Sequence, residues 1–215
     1  MGSWEYFVLL SYSFPIGIGL ALLIQKRLPF ISKVILTYLI FTVLVEIIGA
    51  ILFNYRINNL WLYRIYLYVE LIFPSFFFFQ QFSKKRSKIL LLTVVITGVI
   101  LITLTNVFDD WQAHASLQTG ITFGCVAFII ISYFIEMFRM ENVFSPFKDV
   151  YFLVGATLLL GHSCTLIYNL LYDYLVVGYF GDEMLKILNK GNLGLILLYN
   201  LLYSYALWIS KLPRI

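Results

Sequence analysis

Along this chain, apolar runs of near-constant length alternate with short polar interruptions. Seven runs can be drawn, at 4–24, 33–53, 60–82, 89–105, 118–138, 150–173 and 192–210, each bounded by charged, Asn-rich or Gly-containing stretches. A helix needs about 20 predominantly apolar residues, within a range of about 17–25, to cross the hydrocarbon core of a bilayer. Each run therefore has the length of one crossing, and the sixth can extend by a turn because "YLVVGYF" stays apolar. In lipid the backbone must satisfy its own hydrogen bonds, which leaves helices or a closed barrel. Continuous apolar runs lack the alternation of barrel strands. The pattern predicts an all-α integral membrane protein, a single seven-helix transmembrane domain over residues 1–215.

Composition agrees. Hydrophobic residues make up 61% of the chain and charged residues 12%, with a mean hydropathy of +0.91. A soluble domain is about half apolar and about a quarter charged, so no room remains for one here. The opening "MGSWEYF" carries Glu5 and no basic residue before its apolar run, unlike a secretory signal peptide, so the first run is expected to stay. Tyr6 stands where myristoylation requires Ser or Thr. Cys125 and Cys164 both fall inside apolar runs and read as small buried residues rather than a disulfide framework. With His114 and His162 they do not have the spacing of a four-ligand zinc site. No metal and no cofactor is implied.

Basic residues orient the helices. Lys26, Arg27, Lys33, Lys84, Lys85, Arg86, Lys88, Arg139, Lys148, Lys211 and Arg214, eleven in all, fall on one side of the predicted membrane. The other side offers Arg56, Lys186 and Lys190, with Arg64 just inside a helix. Cytoplasmic loops carry the excess of Lys and Arg, which puts the N-terminus outside and the C-terminus in the cytoplasm. The net charge of +4 suits loops facing anionic lipid and is no argument for nucleic acid. The expected location is a bacterial inner (plasma) membrane.

A faint internal echo accompanies this topology. Sliding the chain by 115 residues pairs Lys33 with Lys148, Thr42 with Thr157 and Asn54 with Asn169; sliding by 133 sets "NLWL" on "NLGL" and Tyr66 on Tyr199. Helices two and three thus echo six and seven across an uncharged fourth helix, a 3+1+3 pseudo-repeat. That plan is similar in architecture to small sugar transporters, vitamin-precursor transporters and luminal retrieval receptors. The Pro-Gln pair that marks one large group of these does not occur, and residues 192–210 hold no lysine for the retinal linkage of a microbial rhodopsin.

The polar residues inside the runs carry the candidate chemistry. At about 1.5 Å per residue, Glu46 is expected roughly 10 Å from the outer end of its helix, Glu70 about 15 Å, His162 about 16 Å and Asn200 about 12 Å. Arg64 and Asn169 come shallower, at roughly 6 Å on the same rise. Tyr63, Tyr66 and Glu70 share one face of the third helix, while Arg64, six residues before Glu70, points elsewhere. His162, Thr165, Asn169 and Asp173 form a polar stripe on the sixth; Thr42, Glu46 and Gly49 share a face of the second. Ionisable groups at bilayer depth cost at least about 2.5–3.5 kcal/mol and face the protein interior or a water-filled cavity.

The expected ligand-binding set is Glu46, Tyr66, Glu70, His162, Asn169, Tyr199 and Asn200. Arg64 is read as a structural cation, paired with Glu46 or snorkelling to headgroups. Pro74, one turn beyond Glu70, allows a bend. The function expected is solute or ligand binding in an outward-facing pocket, by a transporter or by a receptor that lacks its own output domain. An accessory subunit of a larger complex and an intramembrane lipid-modifying enzyme are the alternatives. For the enzyme, Ser163 and Cys164 adjoin His162 in sequence but point about 100° and 200° around the helix. Expected partners are membrane lipids, a small-molecule ligand and, for signalling or assembly, another membrane protein.

Overall fold

In a computed structural model of the chain, the described residues are 10–108, 115–139, 145–176 and 182–210, with the side chains of 168–176, 182–186, 188 and 189 left out. Among them are seven α-helices: α1 Ser13–Ile24, α2 Phe30–Asn54, α3 Leu60–Phe79, α4 Lys85–Phe108, α5 Ser116–Phe138, α6 Val150–Val176 and α7 Asp182–Ile209. A single 3-10 turn, Pro146–Lys148, precedes α6. Six of the helices, α2 to α7, are long and apolar enough to cross a membrane. The protein is a polytopic helical membrane protein.

The helices α4 and α7 extend furthest beyond their apolar runs. α4 takes in Lys85, Arg86 and Lys88 at its start and Asn106 near its end. α7 begins at Asp182, ten residues before its apolar run, although the membrane-length stretch is Lys190–Ile209. Hydropathy marks where lipid begins, whereas helix ends are set by capping and by the absence of breakers. The described part of the first helix is 12 residues long, and residues 4–9 of the first apolar run lie outside the described residues.

The ends of α1 and α2 share one device. Lys26 N–H bonds Leu23 O and Arg27 N–H bonds Leu22 O; Arg56 N–H bonds Phe53 O and Ile57 N–H bonds Leu52 O. This is the paired closure of a Schellman motif. It places Lys26 at φ 54° and Arg56 at φ 57°, where glycine is the usual choice.

The chain divides into two compact units, with the boundary inside α2. One comprises residues 1–43 and 144–215, the other 44–143. In the first, α7 packs against both α1 and α6. Leu39, Ala206 and Leu207 are fully enclosed there. In the second, α3, α4 and α5 each pack against the other two around Leu71, Phe78, Ile102, Val126 and Ile130. Gly98 lets the three approach: a Cβ there would lie 2.9 Å from Leu71 Cδ2 and 3.0 Å from Cys125 Sγ. Ile65, Ile72 and Phe76 recur along the opposite, exposed side of α3, as a lipid-facing stripe should. These units do not coincide with the halves of the expected pseudo-repeat, which would keep α1 to α3 together and α5 to α7 together.

Candidate functional site

The second unit gathers an acidic face from α2 and α3. Glu46 lies on α2, with Gly49 one turn further along the same side, and Tyr63, Tyr66 and Glu70 lie on α3. Tyr63 Oη donates to Glu46 Oε2 at 3.3 Å. Glycine at 49 makes this approach feasible, because a Cβ there would stand 2.7 Å from the Tyr63 oxygen. Asn59 Nδ2 donates to the Gly49 carbonyl at 3.0 Å, which fastens the start of α3 to α2 at the same place. Glu70 is within electrostatic reach of Glu46, and both residues are half-buried as a whole. Tyr66 is buried beside them on α3.

Pro74 adds to this face through the backbone. It lacks the N–H that would bond the carbonyl four residues earlier, and that carbonyl belongs to Glu70. Residue 70 thus offers a main-chain acceptor as well as its carboxylate. In the next register Ser75 Oγ donates to the Leu71 carbonyl.

Arg64 is engaged from α4. It is fully enclosed, and its Nη1 donates to Asn106 Oδ1 at 3.1 Å. Asn106 Nδ2 in turn donates to Tyr68 Oη at 3.3 Å, and Tyr68 Oη bonds Thr103 Oγ1 at 3.1 Å. Buried Gln118, Thr119 and Thr122, in the first two turns of α5, lie at the same end of the bundle. An arginine enclosed in this way does not snorkel to headgroups; it forms a polar link between α3 and α4.

The remaining expected site residues belong to the other unit. His162 is buried on α6. Tyr199 Oη donates to the Gly161 carbonyl at 3.3 Å, tying α7 to α6. Asn200 is 2% exposed and its Nδ2 donates to Ser11 Oγ at 2.6 Å, tying α7 to the residues just before α1. Ser204 Oγ closes on the Asn200 carbonyl at 2.6 Å. The side chain of Asn169 lies outside the described residues. The structure thus brings Glu46, Tyr63 and Glu70 together, and it engages Tyr199 and Asn200 in helix-to-helix bonds.

Sequence reasoning passed over Asn106, which fell just beyond the predicted fourth helix, and Glu136 in the last turn of α5. Glu136 Oε1 accepts from Ser83 N at 2.9 Å, from Ser83 Oγ at 2.5 Å and from Lys84 N at 3.4 Å. The available signal was an acid set among basic residues at a helix end. No group of three or more His, Cys, Asp or Glu side chains among the described residues has the arrangement of a metal site. Comparison with protein-family models, curated proteins and solved structures finds no match to the chain.

Proposed function

We propose that this protein crosses the membrane seven times, N-terminus outside and C-terminus in the cytoplasm, and binds a small solute at the Glu46–Glu70 face. It acts as a transporter, or as a receptor whose output passes through a partner protein. The observation that carries the reading is the carboxylate pair itself. Two acids at bilayer depth and within each other's field call for neutralisation, by a proton or by a positively charged group of a ligand. Tyr63 orients one acid, and Pro74 frees an acceptor beside the other. A donor-rich cationic solute matches the carboxylates of this face, and a proton that exchanges with it would couple its movement to the membrane gradient.

The test is a thermal-shift screen of the purified protein against small cationic, zwitterionic and neutral solutes, repeated on Glu46→Gln and Glu70→Gln. At least one cationic solute should raise the unfolding temperature of the wild type and leave both variants unmoved. If the variants respond to every solute as the wild type does, the acidic face is not the binding site.

A further inference from the structure

A second site is built at the other end of the α3–α4–α5 bundle. A cleft of about 380 Å³ opens there between the last turns of α5 and the start of α4. Its polar wall is Ser83, Lys84, Ser87, Ser132, Glu136 and Arg139. The residues follow helical spacing: 132, 136 and 139 share a face of α5, and 83, 84 and 87 face it from α4 and the residues before it. Deeper in, the lining turns apolar, with Leu90 and Leu91 on α4 and Phe128 and Ile129 on α5. From Lys84 to Leu91 is about 10 Å along the helix axis, the distance from headgroup level into the acyl region.

Charge decides what fits. Glu136 is committed, because its Oε1 takes the Ser83 and Lys84 donors at the start of α4. There it offsets the positive end of the helix dipole. The charged groups left to face a ligand are Lys84 and Arg139, both exposed, with Lys85 and Arg86 adjoining in the chain. The Ser132 hydroxyl lines the cleft with them, those of Ser83 and Ser87 being bonded to Glu136. That set suits a phosphate, and a basic cleft between transmembrane helices is a recognised form of lipid-headgroup site. A free anion would leave the apolar half unfilled, whereas Leu90 and Phe128, 47% and 45% exposed, present that half to the bilayer.

We infer that this cleft binds one anionic phospholipid from the leaflet its basic loop faces, phosphate between Lys84 and Arg139 and an acyl chain along Leu90 and Phe128. Neither residue belongs to the acidic face, so the site stands apart from the proposed solute function. The test is native mass spectrometry of the full chain in micelles doped with equal phosphatidylglycerol and phosphatidylcholine. The wild type should retain one phosphatidylglycerol with a preference of about fivefold or more. Lys84→Gln with Arg139→Gln should remove that preference, and Arg27→Gln with Lys33→Gln, on the same predicted side but outside the cleft, should keep it. Ser132→Phe, which fills the cleft without touching charge, should also lose the bound lipid, so the outcome does not hang on one variant folding. Equal retention of both lipids by the wild type overturns the proposal. So does a preference that survives in Lys84→Gln/Arg139→Gln, or displacement of the lipid by millimolar inorganic phosphate, which would mark a free-anion site.

Discussion

Arg64 shows how a single side chain is settled by partners that lie far away in the chain. Its six-residue offset from Glu70 already separates it from the Tyr63–Tyr66–Glu70 face, since helical spacing fixes which residues share a side. Its partner was not legible, because Asn106 is 42 positions away and inter-helix register is decided by packing rather than by periodicity. The same holds for Tyr63 and Glu46: each face was readable, their meeting was not. A fully enclosed guanidinium depends on its acceptors, since hydrogen bonds to charged groups contribute about 1.5–3 kcal/mol. Asn106→Ala should therefore destabilise the protein by about 2 kcal/mol. Thr93→Ala, on the same helix, should change stability by less than about 0.5 kcal/mol, because Thr93 is exposed and its hydroxyl bonds the Ile89 carbonyl of its own helix. Unfolding in detergent, followed by circular dichroism, compares the two; equal effects would mean that Asn106 does not support Arg64.

Helix existence was legible from the apolar runs, because lipid leaves the backbone no other solution than internal hydrogen bonding. Helix ends were less so, for they depend on caps that hydropathy does not register. α4 illustrates this: its start is fixed by Glu136, 53 residues from Ser83, and a carboxylate arriving from another helix leaves no mark beside the turn it caps. Removing such a cap costs about 1 kcal/mol. Glu136→Ala should lower the unfolding temperature and speed amide hydrogen exchange at Ser83 and Lys84. Glu136→Gln, which keeps an acceptor oxygen, should do so less. Unchanged exchange at those two amides in Glu136→Ala would show that the start of α4 holds without its cap.

For the molecule as a whole, composition bounded the class firmly, since a chain with 61% hydrophobic residues has nowhere but a membrane to place them. The division into two units was not legible. It cuts α2 between Val43 and Leu44, inside an unbroken apolar run, and units of this kind arise from which helices pack together rather than from any break in the sequence. The central claim is that the Glu46–Glu70 face is reached from outside. It is tested most directly by placing a single cysteine at 46, 66 or 70 in a Cys125→Ser/Cys164→Ser background, and adding a membrane-impermeant maleimide to intact cells or to inverted vesicles. The account predicts labelling of Glu46→Cys and Glu70→Cys from the cell exterior and protection in inverted vesicles. Uniform protection of all three from the exterior, with labelling only in inverted vesicles, would contradict it.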